Sequence, residues 1–354
     1  MPKIAVIAGD GIGVEVTKQA LAVLRAVDAV HGVGLVFEEL DYGAERFLRD
    51  GTTLPAGEIE RFRREVDAIY LGALGDPRIP DMRHGREILL ALRFELELYV
   101  NLRPVRALDD RFVPLKSKRA SDVDFVVFRE NTEGAYVGMG GIFKRGTPDE
   151  IGIQEDVNTR KGVERIIRAA FEYASKHGKK RVTMSDKSNA MRFAHDLWRR
   201  VFDEVGREYP AIQKNALFVD ALVLELVRAP EQFEVIVTNN LFGDIVTDLG
   251  AGLQGGLGMA ASGNLHPQGV CLFEPVHGSA PDKAGKNIAN PIAAILTGEM
   301  MLRHLGFAAA ADAIAAAVMR AIRENVLTAD VGGRASTTEV GEFVVRAVST
   351  ASGA

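Results

Sequence analysis

Ten residues, Asn239-Asn240-Leu241-Phe242-Gly243-Asp244-Ile245-Val246-Thr247-Asp248, directly follow the β-branched run Val235 to Thr238. If a helix starts near Leu241, Asp244 and Asp248 are four apart and share one face of its first turns. Two carboxylates so placed suit a hard divalent cation. With no Cys or His beside them, Mg²⁺ or Mn²⁺ fits better than zinc. The same pair would also favour the positive end of a helix dipole, and taken alone it leaves both readings open. A third carboxylate, Asp220, follows the run Ala216 to Val219, and Lys187 lies in Ser185-Asp186-Lys187-Ser188-Asn189 after Arg181 to Met184. Both therefore sit near the C-terminal ends of expected strands, where α/β sheets bind ligands. A lysine near a metal can act as a base if its pKa falls; a lone lysine in a turn can equally be a surface charge. Arg129 also ends an expected strand, with Tyr136 shortly beyond it, and Arg93 and Arg103 flank Phe94 to Leu102. Three arginines in one cleft would bind a small diacid by bidentate hydrogen bonds, although spacing alone does not show that they converge.

Two glycine-containing segments bear on a nucleotide. In Gly9-Asp10-Gly11-Ile12-Gly13 the glycines alternate at every second position, unlike the G-x-G-x-x-G of a dinucleotide fingerprint. In Glu274-Pro275-Val276-His277-Gly278-Ser279-Ala280-Pro281-Asp282, later joined by Asn290, small residues would let the backbone approach phosphate. Asp282 could accept hydrogen bonds from an adenosine ribose and would repel a 2′-phosphate, favouring NAD over NADP.

The elements that must position these residues read as short β-branched runs between helical patterns. The runs are Lys3 to Ile7, Ala68 to Leu71, Phe125 to Phe128, Arg181 to Met184, Leu217 to Val219 and Val235 to Thr238. The alternation predicts an α/β fold with a substantially parallel sheet. Val16, Ala20, Val23, Leu24 and Val27 recur at helical spacing, and the alanines from Ala309 to Val318 predict a closely packed helix. Gly138 to Thr159 breaks the pattern, with two short alternating stretches around Gly146-Thr147-Pro148-Asp149. It predicts a protruding β arm, which would either meet another subunit or remain a surface loop.

A chain of 354 residues, 47% of them hydrophobic, can bury a core large enough for about two domains. The net charge of -5 offers nothing for a polyanion, so nucleic acid is not an expected partner. The single Cys271, in the apolar run Val270 to Phe273, reads as a buried residue compatible with a reducing compartment. Met1-Pro2-Lys3 runs directly into a strand-like segment, and no apolar stretch is long enough to span a bilayer, so a cytoplasmic protein is expected.

Taken together, the motifs Gly9 to Gly13, Asn101-Leu102-Arg103-Pro104, Arg129-Glu130-Asn131-Thr132-Glu133-Gly134, Asp186-Lys187-Ser188-Asn189, Asn240 to Ile245 and Phe273 to Asn290 resemble those of the isocitrate and isopropylmalate dehydrogenase family. The resemblance runs almost to the C-terminus. It implies a two-domain fold that is not the Rossmann fold. One domain would comprise residues 1–98 and 255–354, and the other, residues 99–254, would be inserted between them, with the 138–159 arm interlocking two subunits of a homodimer. It implies a metal held by Asp244 and Asp248 together with Asp220 of a second copy, which would also contribute Lys187 as base. Arg93, Arg103 and Arg129 would hold malate carboxylates, and Tyr136 would return a proton. For NAD the resemblance points to Ile12, Glu274, His277, Gly278, Ser279, Ala280, Asp282, Asn290 and Asp330.

The implied reaction is NAD-dependent oxidative decarboxylation of a substituted malate. Leu89 and Leu90, on the helix leading to Arg93, would bury an alkyl substituent, at ~0.8 kcal/mol per methylene. That favours 3-isopropylmalate, the substrate of leucine synthesis, over isocitrate or homoisocitrate. Ala190 stands where Val is common, which implies a wider or differently shaped pocket, and Arg86 where Glu is frequent, which admits a polar or acidic tail; tartrate and D-malate enzymes, similar through the Arg129 to Gly134 motif, remain the alternative. A non-catalytic regulatory subunit would typically lack metal ligands or the tyrosine, and here every such position is filled.

Overall fold

The computed structural model describes residues 1–350. The chain begins with β1 (Lys3–Gly9), α1 (Ile12–His31), β2 (Val36–Leu40), α2 (Ala44–Asp50), α3 (Glu58–Glu65), β3 (Ala68–Ala73) and α4 (Arg83–Glu95). Next come β4 (Val100–Arg106), β5 (Asp124–Glu130), β6 (Gly140–Phe143), β7 (Ile151–Gln154), α5 (Arg160–Lys176), β8 (Arg181–Asp186) and α6 (Arg192–Gly206). They are followed by β9 (Gln213–Phe218), α7 (Val219–Arg228), β10 (Val235–Thr238) and α8 (Asn240–Leu253). The last are β11 (Ala261–Leu265), β12 (Cys271–Pro275), α9 (Ile292–His304), α10 (Ala308–Arg323) and α11 (Thr337–Thr350).

Two compact units emerge. The terminal unit contains Met1–Leu98, Ala107–Lys116 and the chain from Ala251 onward; the inserted unit contains Tyr99–Arg106 and Ser117–Gly250. Residues 107–116 and 251–254, assigned to the insertion from the sequence, thus belong with the terminal unit. Phe112 explains the first of these, because its buried ring joins the terminal unit's core.

In the terminal unit the strand order is β2-β1-β3-β12-β11, with β11 antiparallel to β12 and the other neighbours parallel. Side chains alternate across a strand, and here both faces are covered. Ile4 and Val6 of β1 pack in one core with Val16, Ala20, Val23, Leu24 and Val27 of α1. Ala5 and Ile7 pack in another with Phe62 of α3 and Ile88 and Leu92 of α4. Ala310, Ala311, Ala317 and Ala321 of α10 are all buried, the close approach that small side chains permit. Cys271 is fully buried, and burial pushes its thiol up to about 11, so it is an inert packing residue.

The turn between β1 and α1 is shaped by backbone approach. Gly9 and Gly11 have φ of 72° and 56°, and a Cβ on them would lie 1.9 Å from the Ala73 carbonyl oxygen and 2.1 Å from that of Ser279. Between them, buried Asp10 accepts from the backbone N–H of Ala44 (2.6 Å) and Gly75 (2.7 Å), and its Oδ2 lies 2.8 Å from His84 Nε2.

In the inserted unit the order is β4-β5-β10-β8-β9, with β4 antiparallel to β5 and the remaining neighbours parallel. The strand expected at Leu217 to Val219 ends at Phe218, whose extended backbone caps α7. Asp220 therefore lies in the first turn of a helix and not at a strand end. The Gly138 to Thr159 segment forms an antiparallel hairpin, pairing Gly140 with Gln154 and Phe143 with Ile151. Ile142, Phe143, Ile151 and Ile153 are all exposed on it.

Asp10→Ala would leave buried donors without an acceptor. It should lower stability by ~2–4 kcal/mol, read as a lower denaturant midpoint; an unchanged midpoint would remove Asp10 from the frame of this turn.

Candidate active site

The parallel strands of the inserted unit end level with one another, Thr238 pairing with both Arg129 and Ser185, and Asp186 with Phe218. Candidate groups lie at or just beyond several of these strand ends. Arg129, 1% exposed, closes β5 and needs acceptors for a guanidinium that water cannot reach. It donates from Nε (3.0 Å) and Nη2 (2.8 Å) to Asn240 Oδ1, and from Nη1 to Asp244. A Cβ at Gly243 would come within 2.5 Å of the Arg129 side chain, so that helix position must be glycine for the arginine to fit.

Three donors meet at Asp244. Besides Arg129, Arg103 places Nη1 3.5 Å from Asp244 Oδ1 while donating to Thr247 Oγ1, and the Tyr136 hydroxyl donates to Asp244 Oδ2 at 2.8 Å. The Arg129 guanidinium also lies over the Tyr136 ring, 5.3 Å from its centre. One turn along α8, Asp248 makes no hydrogen bond among the described residues. Its carboxyl is held above the usual range, chiefly by partial desolvation although the side chain reaches solvent, and next by the Asp244 charge, against the pull of Arg103 and Arg129. A cation between the two carboxylates would relieve both causes, so the pair fits a hard divalent ion. Among the described residues no three His, Cys, Asp or Glu side chains gather as a metal site.

Asp220 stands apart from that pair, at the head of α7, where Lys187 Nζ binds its carboxylate and holds its pKa down. The Lys187 ammonium also lies 5.8 Å from the centre of the Phe218 ring. Ala190 closes the turn after β8, its N–H donating to the Lys187 carbonyl at 2.9 Å.

The remaining candidates lie in the terminal unit. Buried Arg93 donates to Glu274 Oε1 at 2.9 Å, and Asn264 donates to the same oxygen at 2.8 Å. Glu274, expected at the cofactor, is thus the counter-ion of a substrate-binding candidate. Leu89 and Leu90 are half-buried on α4, Leu89 against the core of Ile88 and Leu92, while Arg86 is exposed. Ile12 donates its N–H to the Ser279 carbonyl at 2.8 Å, tying the β1–α1 turn to the 274–282 segment. In that segment Ser279 is buried, Gly278 and Asp282 are exposed, and Ala280 has a positive φ of 37°. His277 is buried with its pKa pushed down by desolvation, so it is neutral, and its Nε2 is an orphaned polar atom. Asn290 donates to Asp330 Oδ2 at 3.1 Å, and Thr328 donates to Asp330 Oδ1 at 2.5 Å. A buried imidazole with a spare nitrogen, beside an amide–carboxylate pair, fits the hydrogen-bonding edges of a nucleotide.

Asn240, the acceptor for Arg129, carried no role from the sequence, nor did His195 and Asn239. Asn239-Asn240 at a strand–helix junction was the visible signal, because asparagine there can cap a helix.

Residues 3–344 match the isocitrate/isopropylmalate dehydrogenase family. The chain belongs to that family. It is similar to the 3-isopropylmalate dehydrogenase of Thermobifida fusca, 48% identical over 348 residues that cover 98% of this chain and 97% of that one. That of Streptomyces griseus is 46% identical over 341 residues, 96% of each chain. Among solved structures, the isocitrate dehydrogenase from Methylococcus capsulatus superposes with a TM-score of 0.88 at 37% identity, covering 99% of this chain and all of that one. The TT0538 protein from Thermus thermophilus gives 0.87 at 39% identity, covering 98% of this chain and 68% of that one. The protein is an oxidoreductase with this family's two-domain α/β fold, as its motifs implied. No helix among the described residues is long and apolar enough to cross a membrane.

Glu274→Ala would leave Arg93 buried without its counter-ion. It should cost ~3–5 kcal/mol of stability, seen as a lower thermal midpoint; a midpoint equal to that of the unaltered protein would mean Arg93 has another partner.

Proposed function

We propose that the protein oxidises 3-isopropylmalate with NAD⁺ and releases carbon dioxide, giving 2-oxo-4-methylpentanoate, in a site completed by a second copy of the chain. The observation that carries this reading is the meeting of Arg103, Arg129 and Tyr136 on Asp244, one turn from the unpartnered Asp248. Arginine forks, a phenol and paired carboxylates are the groups needed to hold a hydroxy diacid and move its protons.

Asp244 and Asp248, with Asp220 of the second copy, would hold Mg²⁺ or Mn²⁺. Bound cation supplies Lewis acidity at the substrate hydroxyl and bound NAD⁺ accepts a hydride. Arg93, Arg103 and Arg129 bind and orient the malate carboxylates. The Lys187 amine takes the hydroxyl proton as the carbinol hydrogen leaves as hydride. After the carboxyl group departs as carbon dioxide, the Tyr136 hydroxyl delivers a proton to the enol carbon. Leu89 and Leu90 receive the isopropyl branch. Around NAD, the spare His277 nitrogen, Ile12, Ser279, Asn290 and Asp330 line the nucleotide edge, Gly278 and Ala280 keep the backbone open, and Asp282 repels a 2′-phosphate.

Exposed apolar side chains support the second copy. They lie on the hairpin (Ile142, Phe143, Ile151, Ile153), on α7 (Leu224, Val227) and on α8 (Leu241, Ile245). The relatives' names support the substrate, since those from Thermobifida and Streptomyces are 3-isopropylmalate dehydrogenases. A second reading, D-malate or tartrate, draws on Ala190 and the exposed Arg86, which give a roomier and more polar surround than an isopropyl group needs.

Comparing kcat/KM for 3-isopropylmalate, isocitrate, D-malate and tartrate with each nicotinamide cofactor tests this directly. 3-Isopropylmalate with NAD⁺ should lead, and a lead for D-malate or tartrate would replace the substrate while keeping the reaction class. Asp248→Asn should weaken divalent-cation affinity by more than about tenfold in a calorimetric titration, whereas unaltered affinity would place the metal elsewhere.

A further inference from the structure

His195 has no part in the chemistry above, yet it is 1% exposed in the first turn of α6. A buried imidazole must place both of its ring nitrogens. Its Nδ1 lies 2.7 Å from the backbone N–H of Lys187, a group that can only donate. Nδ1 is therefore the acceptor, and the neutral ring carries its proton on Nε2. Its Nε2–H points to the Asp156 carboxylate, Oδ2 3.6 Å away, and lies 3.3 Å from the Asn239 side-chain nitrogen, itself a donor and so a contact without a hydrogen bond.

Both neighbours are themselves held. Asn158 donates to Asp156 Oδ2 at 2.8 Å, and Trp198 Nε1 donates to Asn158 Oδ1 at 2.8 Å. Asn239 Oδ1 accepts the Phe242 N–H at 2.9 Å and so caps α8, while the Phe242 ring meets the His195 ring edge-on with centres 5.4 Å apart. One ring thus joins the foot of the hairpin, the head of the helix bearing Asp244 and Asp248, and the point where Lys187 leaves β8.

We propose that His195 is a positioning residue for Lys187. The carbonyl of Lys187 is held within its own turn, by the N–H groups of Ala190 (2.9 Å) and Met191 (2.8 Å), whereas its N–H is held by His195. Asp220 also restrains Nζ. Once Nζ turns to a substrate hydroxyl, that restraint is gone, and the backbone anchor sets where a long and flexible side chain starts. The ring acts through the lysine and touches no reactant. This inference rests on Lys187 being the proton acceptor.

Two variants of the full-length enzyme separate positioning from packing. In His195→Asn the amide oxygen falls where Nδ1 was, keeping the acceptor but losing most of the ring's volume. In His195→Gln the amide reaches toward the Nε2 position, filling more space without that acceptor. Positioning predicts that His195→Asn keeps most of kcat despite a lower Tm. His195→Gln should lose about tenfold to a hundredfold in kcat, the scale of a small misplacement of a catalytic group. Its KM for the hydroxy acid should move by less than about threefold. Added to Lys187→Ala, His195→Gln should cause no further loss. The inference is overturned if His195→Gln is at least as active as His195→Asn, or if it costs the same factor in the Lys187→Ala background. Lys187→Ala alone reports on the underlying reading, because unreduced kcat there would remove the lysine as proton acceptor whatever His195 does.

Discussion

A guanidinium withdrawn from water has to find acceptors with the right geometry, and Arg129 is withdrawn almost completely at the end of β5. Its acceptors, Asn240 and Asp244, both come from the first turns of α8. Satisfying that one side chain therefore brings the end of a strand against the head of a helix more than a hundred residues later in the chain. Gly243 allows the approach, and the antiparallel β4 brings Arg103 to the same carboxylate. Two guanidinium groups thus stand beside the two carboxylates of α8, so both signs of charge are available within one turn of helix.

The terminal unit solves a different problem, the close approach of several backbone turns. Gly9 and Gly11 remove the side chains that would collide with Ala73 and Ser279, and Asp10 accepts the N–H groups that such crowding strands. The 274–282 segment is consequently tied to the first turn of the fold through Ile12 and Ser279. These hydrogen bonds hold the segment to which the proposed reading assigns the nucleotide.

Family membership does not choose the substrate. The relatives include enzymes named for 3-isopropylmalate and a solved structure named for isocitrate, at comparable coverage. In the proposed reading, discrimination falls to the few side chains that would meet the substituent. On α4 the proposed ones are Leu89 and Leu90, two apolar groups beside an exposed Arg86. Burial of a branched alkyl group favours the leucines by an amount that grows with each methylene, whereas the arginine favours a polar tail.

Periodicity and residue type determined much of this protein unaided. The α1 stripe of Val16, Ala20, Val23, Leu24 and Val27 is buried as its spacing predicted, and five of the six strand-like runs lie within strands. These are local properties, set by side-chain direction along a helix or strand. The sixth run shows the limit, because Val219 ends a strand-like apolar run yet starts a helix, moving Asp220 from a strand end to a helix head. Tertiary structure alone decided which charges meet. Spacing could offer Arg93, Arg103 and Arg129 as a set, but the fold pairs Arg103 and Arg129 with Asp244 and gives Arg93 to Glu274, 181 residues away. His195 was invisible for the same reason. A histidine's role depends on which groups face its two nitrogens, and those groups come from parts of the chain that only folding brings together.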